Sequence, residues 1–352
     1  MFEKSFDVLT FGSITLDIII RVPKEGANID LENFQWCIPM GDKIHIDEMF
    51  VSLGGGSANT ATGFSKLGLK TSAYGVMGDD VYKNYLLNEF KKAKVDISHV
   101  IFDTKQDSHF SIILNSYTGH RTVFHRKTDL MGIPKGTIKE APKAKCLYTA
   151  HLYESSEHLL WEVPYWKAHH QSQKASDPQP LWAWNPGKTQ FKRGMKKYQD
   201  LFPVVDILIL NREESENFTG LQAKKMEVKG NCETIFGHCI SNSKMVKSKH
   251  LYDVRHIAEK FMKQGIKKVV ITDGDRGAQG FTKSEHYHMP SLKTEKIDTL
   301  GAGDAFSVGV IAGILHQKDF TTQLLWGCRN ASSVMGLHGA GNGQLGLKEI
   351  EK

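Results

Sequence analysis

Residues Asp298-Thr-Leu-Gly-Ala-Gly-Asp-Ala-Phe306 precede Val310, Ile311, Ile314 and Leu315 on one helical face, so a glycine-rich turn opens an apolar helix. Gly301 and Gly303 let the backbone turn tightly. The amides of residues 301 to 304 can then point at one spot, where the helix dipole also favours negative charge. The segment therefore predicts an anion site at a helix N-terminus. Asp304 beside it is a base for a hydroxyl proton or a helix cap, and these residues alone allow both.

Upstream of this turn, Cys146 to Ala150, Leu181 to Trp184, Asp206 to Leu210 and Val269 to Thr272 are short apolar runs separated by helix-length segments. That alternation predicts a parallel sheet with crossover helices. Val8 to Leu16 and Thr71 to Val76 predict two further buried strands. Residues Pro23 to Val51 are irregular in composition. His109 to Asn115 and Arg121 to His125 alternate around Tyr117-Thr-Gly-His120, which predicts a hairpin able to act as a lid. Two polar stretches, His169 to Pro180 and Lys224 to His250, predict surface insertions.

A second glycine-rich entry, Gly54-Gly-Gly-Ser-Ala-Asn59, opens a helix predicted over Ser57 to Leu67 and stopped by Gly68. Three glycines admit a ligand close to the backbone, and Asn59 offers a donor and an acceptor to hydroxyls. A plain helix-entry loop has the same composition. Asp17, an acid ending an apolar strand, is either solvated or a grip for paired hydroxyls.

Composition narrows the function classes. The chain has 352 residues, 40% of them hydrophobic, which excludes bulk disorder and allows one large α/β domain. Apolar runs such as Ile18 to Ile20 and Ile207 to Leu210 are far below the roughly 20 residues of a membrane helix. The N-terminus carries acids where a signal peptide is basic, and Cys37, Cys146, Cys232, Cys239 and Cys328 are odd in number and scattered, so a cytoplasmic location is expected. A net charge of +6, dispersed along the chain, favours a small anionic ligand over nucleic acid. Gly341-x-Gly343-x-x-Gly346 lacks the preceding strand of a dinucleotide site. Cys232, His238, Cys239 and His250 lack the paired spacing of a zinc site.

Taken together, these segments resemble the PfkB, or ribokinase-like, carbohydrate kinases. Gly54 to Gly78 with Asp79-Asp80 resembles the family's first signature, and Asp298 to Phe306 resembles its second. Asn211-Arg-Glu-Glu214 resembles its Asn-x-x-Glu motif, and Thr272-Asp-Gly274 with Gly277 resembles its nucleotide loop. The resemblance implies a three-layer αβα fold over residues 1 to 352, with a mostly parallel sheet and a small β lid near 14 to 52 and 106 to 127. It implies an ATP-dependent sugar kinase, with Asp304 as base and the amides of Gly301, Ala302 and Gly303 as anion hole.

By the same resemblance, Asp17, Gly55, Gly56 and Asn59 bind sugar hydroxyls. Asn211 and Glu214 organise phosphate and Mg²⁺ through water, and Thr272, Gly274, Gly277 and Asn330 line the ATP site. Asp298 and Leu300 hold a monovalent cation, K⁺, and two copies pair through the lid. Arg121, His125 and Arg126 lie where an anionic sugar or plain water would meet the hairpin. A nucleoside kinase of the same fold and a catalytically silent sugar sensor are the rival functions; the presence of Asp304, both glycines and Asn211-x-x-Glu214 weighs against the sensor.

Overall fold

The short apolar runs become the strands of a nine-stranded sheet in the computed structural model, which describes residues 5–24, 28–30, 32–33, 35–38, 40–116, 121–128, 130–172, 178–227 and 250–352. In chain order the strands are β1 (Phe6–Phe11), β2 (Thr15–Val22), β3 (Asn28–Asp30), β4 (Gln35–Cys37), β5 (Glu48–Gly54), β6 (Thr71–Gly78), β7 (Val100–Asp103), β8 (His109–Ser116) and β9 (Arg121–Arg126). There follow β10 (Ala144–Thr149), β11 (Leu181–Trp184), β12 (Ile207–Asn211), β13 (Lys224–Glu227), β14 (His250–Asp253), β15 (Lys268–Thr272), β16 (Ala278–Phe281) and β17 (His286–Met289). The main sheet runs β17-β16-β15-β12-β11-β10-β1-β6-β7. Strands β7 to β15 of that order are parallel, and β16 and β17 add an antiparallel edge.

Both faces of this sheet are covered, because successive side chains of a strand point to opposite faces. Leu9, Leu147, Trp182 and Leu208 pack with Trp166, Phe218 and Phe261 on one side. Their neighbours Val8, Tyr148, Ala183 and Ile207 pack with Phe64, Phe306, Val310 and Leu324 on the other. The result is a three-layer α/β arrangement. Among the described residues no helix is long and apolar enough to cross a membrane.

The single strand expected over Val8 to Leu16 is two strands in two sheets, and the reason is steric. Gly12 lies between them, where a Cβ would stand 3.0 Å from both the Ala150 Cβ and the Ser57 backbone nitrogen. The helix Gly56–Lys66 therefore docks its N-terminus against the break, and the Ser57 N–H donates to the Ser13 carbonyl at 3.2 Å. Past the break the chain joins a four-stranded sheet ordered β5-β2-β8-β9. The irregular stretch Pro23 to Val51 thus contains β3, β4 and most of β5; its regularity is hidden because β5 does not alternate, Ser52 to Gly54 being all buried and Glu48 to Val51 exposed or half-buried. Strands β8 and β9 pair antiparallel, and the turn between them, 117–120, lies outside the described residues. Of the stretch from His169 to Pro180, residues 173–177 also lie outside them. So do 228–249 of the second, Cys232, His238 and Cys239 included; its ends, β13 and β14, pair with each other.

Sheet order reverses at β1: the chain builds outward through β6 and β7 on one side and through β10, β11 and β12 on the other. Crevices beyond the carboxyl ends of parallel strands at such a reversal are where open α/β sheets bind ligands. Gly12, Ala150, Asn211 and Thr272 all stand at those ends.

Candidate active site

Beyond the sheet's carboxyl edge, Gly301 caps the helix Ala302–Leu315 with φ +74°. A Cβ there would stand 2.5 Å from the Ala340 carbonyl oxygen, so both conformation and space require glycine. The Ala305 N–H closes the first helical bond onto the Gly301 carbonyl at 2.9 Å. Among the described residues, the N–H groups of Gly301, Gly303 and Asp304 have no protein acceptor, and that of Ala302 reaches the Thr299 carbonyl at 3.4 Å. A Cβ at Gly303 would meet nothing within 4 Å, so this helix end is open toward a ligand. Unpaired amides and the helix dipole together favour an anion here.

Asp304 lies at the third position of that helix. One of its carboxylate oxygens accepts from Asn59 Nδ2 at 2.9 Å. Burial pushes the carboxyl up to about 6, the Asp17 charge adds to the rise, and the Asn59 bond opposes it. A carboxyl that ionises near 6 matches a hydroxyl-proton acceptor working at neutral pH far better than an ordinary aspartate does. Asn59 is held by the second glycine-rich entry. Gly55 takes φ +95°, and a Cβ there would approach the Ser13 carbonyl oxygen to 2.4 Å. The Asn59 side chain is buried, and its Oδ1 has no hydrogen-bond partner among the described residues.

Asp17, on β2, is buried and accepts from Thr15 Oγ1 at 3.3 Å. Burial raises its carboxyl, a hydrogen bond from Ser111 lowers it, and the nearby Asp298 charge raises it again. A Cβ at Gly54 would lie 2.1 Å from Asp17 Oδ2, so the first glycine of the entry makes room for this carboxylate. Tyr153, which the sequence did not single out, belongs to the same neighbourhood, since the Asp17 charge helps burial raise its hydroxyl. That hydroxyl meets His125 Nε2 at 3.2 Å, and Lys127 Nζ lies 4.9 Å from the ring centroid. The only available signal for Tyr153 was its place just after a strand end.

On the other side of the turn lies a cleft of about 540 Å³, lined by Asn211, Thr272, Gly274, Gly277, Ala302 and Gly303 among others. Asn211 caps the helix Arg212–Thr219 reciprocally: its Oδ1 accepts from the Glu214 N–H at 2.8 Å, and Glu214 Oε2 accepts from the Asn211 N–H at 2.9 Å. Burial raises the Glu214 carboxyl and the Asp304 charge raises it further, while the Asn211 bond lowers it. Its second oxygen has no protein partner among the described residues. Two coupled carboxylates raised in this way, Glu214 and Asp304, fit a divalent cation carried in on phosphate oxygens and water, the usual binding mode of Mg²⁺. A cluster to which the sequence motifs assign no role stands at the cleft wall. Arg212 Nε and Arg276 Nη2 each donate to Asp273 Oδ1 at 2.9 Å, and both guanidinium groups lie over the Tyr252 ring.

Several of the residues singled out have protein partners. Asn330, expected at the ATP site, is fully buried away from the cleft. Its Nδ2 donates to the Ala305 carbonyl at 2.8 Å and to Gln344 Oε1 at 2.6 Å, and its Oδ1 accepts from the Leu345 N–H at 2.9 Å. At Asp298 and Leu300, expected to hold a monovalent cation, the carboxylate already has protein partners. The Leu300 N–H donates to Asp298 Oδ1 at 2.9 Å, and Arg121 Nη1 stands 3.4 Å from the same oxygen. Arg126 pairs with Asp107 at 3.0 Å and lies over Phe110, which accounts for its charge locally.

Known proteins resemble this chain over nearly its whole length. A family model described as pfkB family carbohydrate kinase matches residues 8–345. The 5-dehydro-2-deoxygluconokinase of Bacillus subtilis (strain 168) is 25% identical over 99% of this chain and 96% of its own length. The ribokinase of Staphylococcus aureus (strain COL) is 24% identical over 85% of this chain and 88% of its own length. A solved structure of Arabidopsis thaliana ribokinase with ribose and ATP superposes with a TM-score of 0.70 at 17% identity, covering 99% of this chain and 98% of that one, which supports the fold.

Proposed function

The chain belongs to the pfkB family of carbohydrate kinases and is an ATP-dependent sugar kinase, and on that premise we propose how its residues divide the reaction. Asp304 accepts the proton of the attacking sugar hydroxyl. The unpaired amides of Gly301, Gly303 and Asp304 stabilise the charge of the transferring phosphoryl group. Asp17 and Asn59 hold sugar hydroxyls against the glycine entry at Gly55 and Gly56. ATP takes the cleft bounded by Asn211, Thr272, Gly274 and Gly277. Glu214, with Asn211, would hold Mg²⁺ through water, and the ion when bound neutralises phosphate charge. Positioning supplies most of the rate, because a loose phosphoryl transition state asks little covalent help of the protein.

The observation that carries this reading is the Asp304 carboxylate, raised to about 6 beside unpaired helix amides. The test is ADP release from ATP and Mg²⁺ across a panel of sugars, sugar acids, sugar phosphates and nucleosides. A monosaccharide or sugar acid as the best acceptor is expected. A nucleoside as the best acceptor would move the substrate assignment to the rival.

The four-stranded sheet is the lid over the sugar, built from the segments near 14 to 52 and 106 to 127. Its outer strand β9 leaves every residue exposed, Val123 to 44% and Phe124 to 55%, and the unpaired backbone of an edge strand is a template for pairing. A second copy of the chain takes that edge. A cytoplasmic location suits the thiols of Cys37, Cys146 and Cys328, which form no disulfide.

A further inference from the structure

Arg121 and Asn115 face each other across the β8–β9 ladder and converge on one carboxylate. Asn115 Nδ2 approaches Asp298 Oδ2 to 3.4 Å, and Arg121 Nη1 approaches Oδ1 to 3.4 Å. Arg121 also donates to Thr299 Oγ1. The remaining contacts of Asp298 come from the backbone: the Leu300 N–H at 2.9 Å to Oδ1 and the Gly339 N–H at 3.3 Å to Oδ2. With its side chain only 1% exposed, Asp298 has partners on both oxygens, one of them the Arg121 guanidinium. A monovalent ion there would have to displace or repel that guanidinium.

We propose that Arg121 supplies, from the lid hairpin, the positive charge that a monovalent cation would otherwise bring to the Asp298 turn, so that this kinase runs without potassium. Guanidinium is always charged, less strongly hydrated than an ammonium, and able to bond two acceptors at once. Here it ties Asp298 and Thr299 together, the residues that lead into the amides of Gly301 to Asp304. Arg121 is thus a positioning residue: it acts through the turn rather than on substrate. Because it is carried by β9, the turn receives its charge only when the hairpin is seated, which links lid position to the state of the anion site.

The inference rests on the kinase reading, and two measurements separate them. In the first, turnover with the best acceptor of the panel is compared in potassium and in tetramethylammonium at matched ionic strength, with Mg²⁺ saturating. Wild type is expected to give equal rates. Arg121→Ala is expected to lose about 10-fold or more in kcat with little change in the KM for ATP, and to regain part of it with potassium or guanidinium. Arg121→Lys, which keeps a charge, is expected to lose less. In the second, needing no turnover, potassium raises the Tm of Arg121→Ala relative to tetramethylammonium and leaves that of wild type unchanged. Several-fold activation of wild type by potassium, an Arg121→Ala enzyme as active as wild type in both salts, or no potassium effect on the Arg121→Ala Tm would each overturn the proposal. Absence of ADP release from any acceptor would instead count against the kinase reading, and the Tm comparison would still decide the role of Arg121.

Discussion

Asn59 Nδ2 donates to the Asp304 carboxylate at 2.9 Å across 245 residues of sequence, joining the helix entered at Gly55 to the helix entered at Gly301. The sugar-side entry and the anion-side entry are therefore one site. The bond also tunes chemistry, because a donor to the ionised carboxylate favours ionisation while burial and Asp17 oppose it.

Replacing Asp304 by Asn should lower kcat by roughly 10²-fold or more while leaving ATP affinity nearly unchanged. The same change should stabilise the fold at neutral pH. The folded-state carboxyl ionises near 6, above its ordinary value of 3.8, so the folded form holds the proton more tightly and wild type loses stability as pH rises through that window. Calorimetry should find Asp304→Asn higher in Tm by about 2 °C at pH 8 and equal to wild type near pH 4. Turnover close to wild type would reduce Asp304 to a helix residue.

For Asn59→Ala the sign follows from the bond it removes. Without that donor the Asp304 carboxyl ionises at a still higher pH, so the acid limb of the kcat profile, expected near pH 6 in wild type, should move upward. A pH–rate series on both proteins measures the displacement. A downward or absent shift would separate Asn59 from the carboxylate.

Gly301→Ala should cost about 1–3 kcal/mol in stability, since φ +74° and the Ala340 carbonyl oppose a side chain. Turnover of the folded fraction should fall as well, because relief of the clash turns the amides away from the phosphoryl site. Urea titration alongside single-turnover kinetics separates the two effects; unchanged kinetics would disconnect the turn from catalysis.

Asn330→Leu tests the reassignment of that side chain. It strands the Leu345 N–H and Gln344 Oε1, so a loss of about 1–3 kcal/mol is expected with an unaltered KM for ATP. A raised KM at full stability would return Asn330 to the nucleotide cleft.

Phe124→Glu should convert a dimer to a monomer in sedimentation without unfolding it, because the charge sits on an exposed edge strand. A wild-type monomer at the same concentration would remove the lid interface.

Local backbone chemistry was legible in the chain. The two glycine-rich entries at Gly54–Gly56 and Gly301–Gly303 announce helix N-termini, because at Gly55 and Gly301 only glycine tolerates the positive φ and the close backbone approach. The alternation of short apolar runs with helix-length segments announces a parallel sheet covered on both faces, and the strand Leu181–Trp184 falls where expected. What tertiary structure alone decided is which distant side chains meet. The partner of Asp304 is 245 positions away, and Arg121, one partner of Asp298, is 177 positions away on the four-stranded sheet. Asn330, on an amphipathic helix, faces inward because the packing of Phe320–Met335 against Ala302–Leu315 rotates it there. Propensity and periodicity act within a few residues of a position, whereas these pairings follow from how the sheet order and the lid bring strand ends together, which no local pattern encodes.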